Sequence, residues 1–570
     1  MNIFFKLNKL ILQTLFLYVL LLTNSSQGLE KYYRGDSLSN YFSGLISLQS
    51  NKYKESYDFF KKLENLEDNH FKYSKSYLES LVNNSKINEA FRYSKKLGKK
   101  EMNFFHSDIV VMSKYLKNEN FSKLDGYLET IKKDDYTPLQ ELISQIIFSW
   151  TKVETLKLTY DDSKKIFELI SPKYKNIKKI NHVFLNCYFD TLSAESKFQN
   201  LTNDKSADFS RYTFFYANYL IKKNSSIKAK KILKEKLIVV PRNLLLNQLY
   251  SDIAIKKESY LQNNFDCKNI SNIIAELFYI TANALSTQGI YSQSNFYVNL
   301  AKFLNQNFYS YNTLHAENFV MTEDYEKAKK IYSFLKKYGE FYSWHSSKQL
   351  ALLSIEKLKD NEAMNLLEES YENLNSPSVY QTYDFAQFLK NNEKFEKSIK
   401  YYSKVIQNIL SSHELYPKAK DGRGIAYEQS GDWKKAEKDF LDSLKAKPNQ
   451  AYVINYLAYS WIEKGINIEK SLKMLEEANR LRSNDGYITD SLGWALYKLK
   501  KYKRSKDYLK KAVQLMPSDP IVNDHFADVL WMNGEKLQAR YYWQYVLNLE
   551  DTEDELKNKI MKKFLDGPTS

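Results

Sequence analysis

Glycine, proline and cysteine are scarce in this chain: its 570 residues include 15 Gly, 9 Pro and 2 Cys. Glycine and proline interrupt regular structure, so their scarcity favours long helical stretches over strand-rich folds. The length exceeds that of one ordinary globular core and predicts several domains or a repeat array. The two cysteines, Cys187 and Cys267, lack CxxC or metal-ligand spacing. They could pair in an oxidising compartment, but we expect each to be a small buried apolar side chain.

The motifs of common catalytic centres are also missing. The sequence has no Walker loop, dinucleotide fingerprint, serine-nucleophile elbow or HExxH. His525 lies between Asp524 and Asp528, but zinc sites of this kind usually include a second His or Cys, so we expect a packing or capping role. The sequence therefore predicts a protein that is not an enzyme, with no catalytic residue, no cofactor and no metal.

The net charge is positive but dispersed. Lys and Arg number 84 against 68 Asp and Glu, which gives a formal charge of +16. Such an excess can indicate a nucleic-acid or anionic-lipid partner. Here the lysines are scattered among Asn, Tyr, Ile and Phe along the whole chain. We interpret the charge as a composition bias and predict no nucleic-acid partner.

The N-terminus has the three parts of a secretory signal peptide. Lys6 and Lys9 precede an apolar run from Leu10 to Leu22, and small polar residues follow. The run is shorter than the roughly 20 residues that span a bilayer, and both lysines precede it, which places the following chain on the trans side. We predict a signal peptide over residues 1–28 and a periplasmic or envelope location. Retention as an uncleaved membrane anchor is the alternative.

A pattern with a period near 34 residues organises the rest of the chain. Counted from Gly486 as position 1, Leu492 and Gly493 occupy positions 7 and 8, Leu509 position 24 and Ala512 position 27. This is the signature of the tetratricopeptide repeat (TPR), a helix–turn–helix unit. The chain therefore resembles TPR proteins, and the resemblance implies an all-α fold, a solenoid of helix pairs stacked in a right-handed superhelix.

The same size constraints recur in eight frames. The frames begin at Ala275, Tyr309, Trp344, Val379, Pro417, Ala451, Gly486 and Pro520. Position 8 is Gly or Ala in every frame, position 20 is Ser or Ala, and position 24 is large in nearly all. Two helices joined by a short turn approach closely only where one side chain is nearly absent, and a large residue then fills the space beside it.

The regularity of the repeats changes along the chain. Degenerate repeats are predicted over residues 37–274, with an unclear register over 139–274. Divergent repeats follow over 275–416 and well-formed repeats over 417–553. Residues 554–570 are predicted to form a capping helix and tail, because an array needs a cover on its last apolar face.

The C-terminal third is similar to secreted alphaproteobacterial TPR-repeat proteins of poorly defined function. The similarity lies in residues 421–550, in segments such as Arg423–Glu428, Asn455–Trp461 and Asp485–Trp494. It implies an interaction protein of the cell envelope and supplies no catalytic residue.

In TPR arrays the first helix of each repeat lines a concave groove, chiefly through positions 2, 5, 9 and 12. In the last four repeats these positions combine carboxylates and one amide with aromatic rings. We predict a protein-binding groove that contains Asp421, Tyr452, Asn455, Tyr459, Tyr487, Asp490, Trp494, Asp524 and Asp528. Carboxylates beside Tyr and Trp suit a basic or extended polypeptide segment. Alternatively, Asp490 and Asp524 cap or orient neighbouring helices.

These patterns predict an exported TPR scaffold or adaptor that mediates protein–protein interactions in the bacterial cell envelope by binding a polypeptide segment in its groove. A periplasmic chaperone or assembly factor for outer-membrane or lipopolysaccharide machinery is the alternative, and an enzyme accessory subunit is a third. A stable stoichiometric partner would favour the scaffold. Many substoichiometric β-barrel clients would favour the chaperone.

Overall fold

The computed structural model describes residues 35–63, 70–100, 102–131, 136–255, 264–355 and 360–568. Throughout these residues the chain consists of α-helices joined by short connections, and no strand occurs among them. The prediction of an all-α helix–turn–helix array is confirmed. The predicted signal peptide, residues 1–28, lies outside the described residues. Of the helices that are described, none is long and apolar enough to cross a membrane.

The chain divides into two compact units, Met1–Gly339 and Glu340–Ser570. The helices of the first unit are α1 Gly35–Gln49, α2 Tyr53–Phe60, α3 Phe71–Asn83, α4 Ile87–Lys99, α5 Phe105–Lys117, α6 Phe121–Thr130, α7 Pro138–Thr155, α8 Tyr160–Glu168, α9 Lys175–Tyr188, α10 Ala194–Asn203, α11 Tyr212–Lys222, α12 Ser226–Val239, α13 Leu244–Ala254, α14 Ile270–Thr287, α15 Tyr291–Leu304, α16 Tyr311–Met321 and α17 Tyr325–Leu335. A 3₁₀ turn, Pro172–Tyr174, precedes α9.

The second unit continues the alternation of helix pairs to the C-terminus. Its helices are α18 Glu340–Ile355, α19 Asp360–Glu372, α20 Val379–Asn391, α21 Phe395–Gln407, α22 Leu415–Gln429, α23 Trp433–Ala446, α24 Ala451–Glu463, α25 Ile468–Leu481, α26 Gly486–Lys498, α27 Tyr502–Leu515, α28 Pro520–Met532, α29 Lys536–Leu547 and α30 Asp554–Asp566. In α30, Ile560 is fully buried and the Phe564 ring lies 6.2 Å from the Trp543 ring of α29. This helix covers the last repeat.

Within a repeat, the two helices approach each other at the small residue of position 8. A Cβ atom added to Gly493 would lie 2.6 Å from the Leu509 side chain, and one added to Gly424 would lie 2.7 Å from the Phe440 ring. Such distances are far below ordinary van der Waals contact, so these positions exclude any side chain. The predicted pairing of a small residue at position 8 with a large one at position 24 is confirmed.

Position 20 is small because it touches the backbone of the first helix. Ser505 donates a hydrogen bond of 2.7 Å to the carbonyl oxygen of Gly493, the position-8 residue of the same repeat. Ser294 makes the same 2.7 Å bond to Ala282. In these two repeats the serine ties the two helices together without separating them, whereas Ser398 and Ser471 donate to carbonyls at the start of their own helix.

A left-handed residue forms the turn inside most helix pairs. It lies two residues before the second helix, as Lys500 (φ 59°) does before α27. The same turn occurs at Asn51, Ser85, Glu119, Asn224, Gly289, Glu323, Glu393, Gly431 and Gly534. The same turn thus occurs in two parts of the first unit, before Phe121 and after Lys223, where the sequence signature is faint.

The first unit also closes on itself, which a simple solenoid does not do. Asn83, at the end of α3, donates to the carbonyl oxygen of Ser292 on α15 over 3.2 Å, although 209 residues separate them. Ser271 on α14 donates to the Leu116 carbonyl of α5 over 2.8 Å. One continuous apolar core, from Tyr57 to Leu314, runs through both sets of helices.

A buried ion pair crosses the same unit. The Arg211 guanidinium, which precedes α11, contacts both carboxylate oxygens of Glu276 on α14 at 2.6 and 2.9 Å. Its carbon lies 3.9 Å from the centre of the Tyr279 ring. Because Glu276 is fully buried, loss of either partner would leave an uncompensated charge, and the pair therefore fixes how α11 and α14 meet.

The expectation for the cysteines as two unpaired apolar side chains is wrong. Cys187 on α9 and Cys267, just before α14, form a disulfide that spans 80 residues. Both are buried as expected. The pairing was not visible in the sequence because it depends on the close approach of α9 to the segment before α14.

The turn geometry gives a test with two glycines of the first unit. Gly289 has φ +76° and open space where a Cβ atom would lie, whereas Gly98 lies in helix α4 with equally open space. Gly289→Ala should lower the free energy of unfolding by about 1 kcal/mol, because an L-residue is strained in left-handed backbone. Gly98→Ala should raise it by about 0.5–1 kcal/mol, because alanine is the better helix former. Urea denaturation of the two variants measures both changes, and equal signs would contradict the assigned turn.

Candidate protein-interaction surface

Successive repeats of the second unit are joined by polar side chains of their first helices. The residue at position 5 of one repeat contacts the residue at position 6 of the next. The pairs are Lys348–Asp384 at 2.8 Å, Asn455–Ser491 at 3.1 Å and Asp490–His525 at 3.0 Å. Position 5, which the sequence assigns to the groove, therefore also contributes to stacking.

Asp490 and Trp494 are brought together by His525. The carboxylate oxygens of Asp490 lie 3.0 and 3.1 Å from Nδ1 of His525, and both residues are buried. Burial disfavours the imidazolium form, but the Asp490 carboxylate outweighs burial and holds the pKa of His525 above its ordinary value. The Trp494 ring stacks on His525 at 3.9 Å and on Tyr497 at 4.7 Å. Its Nε1 donates to Glu463 over 2.8 Å.

Asp524 and Asp528 form a second cluster, which the capping helix completes. Nζ of Lys563 on α30 lies 2.7 Å from Asp524 and 2.9 Å from Asp528. Nε1 of Trp543 donates to the same two carboxylates over 3.0 and 3.2 Å. Burial, together with the neighbouring Asp524 carboxylate, raises the pKa of Asp528 to about 6, and the Lys563 ammonium opposes the rise. Three of the predicted groove carboxylates are thus bonded inside the protein.

Asp421 is the carboxylate of the predicted set with no hydrogen bond or ion pair to any described residue. It is half-buried on α22. Burial raises its pKa to about 6, and the positive charge of Lys390 opposes the rise. A partially buried carboxyl group without a bonded partner gains free energy from any donor that reaches it.

The tyrosines of the predicted groove differ in exposure. Tyr487 is 61% exposed, and its side chain has no hydrogen bond or ring contact to the residues that the structure describes. Tyr452 is 54% exposed; its hydroxyl donates to Asp485 over 2.8 Å, and the Arg482 guanidinium lies 4.8 Å from its ring centre. Tyr459 is half-buried, and burial raises its pKa. The two exposed rings lie at position 2 of consecutive repeats.

A groove on α18 and α20 lies outside the predicted set. Its volume is about 360 Å³, and it is lined by Lys348, Leu352, Asp384, Gln387, Phe388, Asn391 and Asn392. Leu352 is 46% exposed within it. Leu352 and Gln387 both lie at position 9 of their repeats, so the positional rule applied to the last four repeats would have found this groove had it been extended two repeats toward the N-terminus.

Contacts link this groove to Asp421. Gln387 accepts a hydrogen bond of 2.8 Å from the Tyr402 hydroxyl and donates one of 3.1 Å to Asn391. The charge of Asp421 is close enough to raise the pKa of Tyr402, although burial is the larger cause. The amides of α20 and the carboxyl of Asp421 on α22 are therefore both near the buried Tyr402 side chain. No group of His, Cys, Asp and Glu in the described chain is arranged to hold a metal ion.

Comparison with known proteins agrees with this geometry. Residues 319–552 match the family described as tetratricopeptide repeat. Over these residues the chain is similar to tetratricopeptide repeat proteins. The TPR repeat-containing protein PA4667 of Pseudomonas aeruginosa is 28% identical over 139 residues, which are 24% of this chain and 22% of that protein. The chain thus spans about a fifth of the length of this curated relative.

Several solved TPR structures are also similar in part. MamA from Desulfovibrio magneticus RS-1 is 19% identical over 31% of this chain and 97% of its own, with a TM-score of 0.27. YrrB, described as a TPR protein with an unusual peptide-binding site, is 16% identical over 32% of this chain and 92% of its own, with a TM-score of 0.27. A chain of the APC/C hetero-tetramer Cut9–Hcn1 is 12% identical over 93% of this chain and 97% of its own, with a TM-score of 0.37.

The Lys563 cluster generates a prediction about stability and pH. Lys563→Met should lower the free energy of unfolding of this TPR array by about 3–5 kcal/mol near neutral pH, because Asp524 and Asp528 lose their buried cation. The pKa of Asp528 is already raised in the fold, so its ionisation opposes folding, and the variant enlarges that cost. The deficit should therefore shrink as the pH falls through about 6.

Lys559→Met is the matched control for this measurement. Lys559 lies one turn earlier on α30 and pairs with Glu555 at 2.7 Å, but both side chains are mostly exposed. Little change in stability is expected at any pH. Denaturant unfolding of both variants across the pH range checks the pair, and a deficit of Lys563→Met that is independent of pH would contradict the assigned charges.

Proposed function

We propose that this TPR protein is an exported scaffold or adaptor that binds an extended polypeptide segment along the first helices of its second unit. TPR arrays are protein-interaction scaffolds, and the repeat geometry supports that general function here. The more specific proposal rests on two features of these helices: the groove of α18 and α20, and the carboxyl of Asp421 on α22, which has no bonded partner among the described residues.

Amide side chains are suited to the main chain of an extended segment. An amide such as that of Asn391 can donate and accept, as a peptide group requires. The exposed rings of Tyr452 and Tyr487 offer flat apolar contacts, which carry much of the affinity in protein interfaces. The inner helices therefore present both kinds of contact.

The carboxylates of the groove indicate which kind of polypeptide segment it would bind. Asp490 is bonded to His525, and Asp524 and Asp528 are bonded to Lys563, so these carboxylates offer little to a cationic partner. Asp421 has no such partner among the described residues. We therefore favour an extended segment with a single basic residue at Asp421 over a uniformly basic segment.

The disulfide supports export. Disulfides form in the periplasm and other oxidising compartments and are rare in reducing ones. The Cys187–Cys267 bond therefore agrees with the predicted signal peptide over residues 1–28 and with an envelope location. Both the location and the signal peptide are part of the proposal.

Crosslinking from the exposed tyrosine tests the binding surface. A photoreactive amino acid at Tyr487 should capture a protein partner in cells, because this ring is exposed and unengaged. The same group at Lys503, exposed on the second helix of the same repeat, is the control. In a pull-down without the photoreactive group, Tyr487→Ala together with Asp421→Asn should reduce recovery of the partner identified by crosslinking about tenfold or more, the loss expected for contacts worth about 1–2 kcal/mol. Equal capture from both positions would reject the proposed surface.

Thiol alkylation tests export separately. Because both cysteines are buried, the protein is first unfolded in denaturant and then treated with a thiol-reactive polyethylene glycol reagent. In the full-length chain, Cys187 and Cys267 should resist the reagent until a reductant is added. Deletion of residues 2–28 should leave both thiols reactive, since the chain would then stay in the reducing cytoplasm. The mass shift on a denaturing gel reports the result. Protection in the truncated chain, or reactivity in the full-length chain, would contradict the proposed location.

A further inference from the structure

The outer face of α29 exposes a stripe of large uncharged side chains. Leu537 is 82% exposed, Tyr541 70% and Tyr545 38%. They are spaced four residues apart and therefore lie on one side of the helix. The opposite side of α29 packs into the last repeat through Ala539, Trp543 and Val546, all fully buried. The stripe thus has no structural role within its own repeat.

Comparison of the repeats shows that this face is unusual. The three residues occupy positions 18, 22 and 26 of the last repeat. In the three preceding repeats every corresponding residue is charged: Lys434, Lys438 and Asp442; Glu469, Lys473 and Glu477; Lys503, Asp507 and Lys511. Charged residues at these positions keep the outer helices in water, whereas an exposed apolar stripe is typical of an interaction site.

We propose that this stripe binds a second copy of the chain, with α29 packed antiparallel against α29 of its partner about a two-fold axis. Leu537 and Tyr545 lie four residues on either side of Tyr541. When Tyr541 lies on the axis, the stripe is complementary to itself, with Leu537 of each copy opposite Tyr545 of the other. Rows of side chains spaced by four residues are also the ridges that most often interlock between packed helices.

The charges around the stripe favour the antiparallel arrangement. Lys536 is exposed at the start of α29 and pairs with no carboxylate in the part of the chain that the structure describes. Glu550 and Asp551 are exposed just beyond the end of the helix and are likewise unpaired with a described cation. Antiparallel packing brings the basic end of one copy to the acidic end of the other, and it also opposes the two helix dipoles.

The small area of the stripe sets the affinity expected for the dimer. One face of a 12-residue helix is smaller than the roughly 800 Å² per partner of a standard interface. The dimer should therefore be reversible, with a dissociation constant in the micromolar range. Its assembly depends on concentration, so a single dilute measurement would miss it.

Sedimentation equilibrium of the mature full-length protein, over a wide concentration range, tests the proposal. The wild-type protein should form a dimer, and Tyr541→Lys should raise the dissociation constant at least about tenfold. The control is Asp507→Lys, at the same position of the preceding repeat. This variant should leave the dissociation constant of the dimer unchanged. A wild-type protein that is monomeric throughout would overturn the proposal, as would a dimer that Tyr541→Lys leaves intact.

Cysteine crosslinking gives a second, independent test of the axis. Since Cys187 and Cys267 are already paired, Tyr541→Cys introduces a single free thiol. Oxidation should join two copies of this variant in high yield, whereas Asp507→Cys should stay largely uncrosslinked. Vesicles that contain anionic lipid test whether the stripe binds a membrane instead. If the wild-type protein is monomeric and binds these vesicles, and Tyr541→Lys does not bind them, the proposed dimer is overturned and the partner of the stripe is a membrane surface.

Discussion

The close approach of two helices at a Gly or Ala residue underlies each repeat. Where Gly493 meets Leu509, a single added carbon would clash at 2.6 Å, and the same constraint acts at Gly424 and Phe440. A large residue at position 24 then buries its apolar surface against the bare backbone, which is the main free-energy gain of each helix pair. Ser505 adds a hydrogen bond to the same backbone. Every other feature of the array is arranged around this contact.

Stacking between repeats follows a different rule, because it uses polar side chains. The pair Asp490–His525 and the cluster around Lys563 are buried, and buried ion pairs contribute more to a specific register than to net stability. A first helix therefore divides its polar residues between the next repeat and the groove. The negative charge that the groove presents to a partner is therefore smaller than its number of carboxylates suggests.

The difference between contacts inside a repeat and contacts between repeats explains which features could be predicted from the sequence. The small residue at position 8 and its partner at position 24 are 16 residues apart in one frame, so size alone reveals them. The contact from position 5 to position 6 of the next repeat joins residues 35 or 36 positions apart. Only a comparison of consecutive frames would have suggested that Asp490 faces His525. The Cys187–Cys267 disulfide and the Asn83–Ser292 bond span 80 and 209 residues. They depend on how the first unit closes, which no local pattern encodes.

The two units solve the problem of terminal apolar faces in opposite ways, and this bears on function. The first unit packs α3 and α5 against α14 and α15, so its early helices cover its late ones. The second unit instead covers its last repeat with α30, whose Lys563 neutralises the carboxylates that stacking leaves over. A cap of one helix leaves the inner amides, Asp421 and the exposed tyrosines accessible. Asp421, which has no bonded partner among the described residues, and the exposed rings of Tyr452 and Tyr487 therefore make the second unit the candidate for the binding surface.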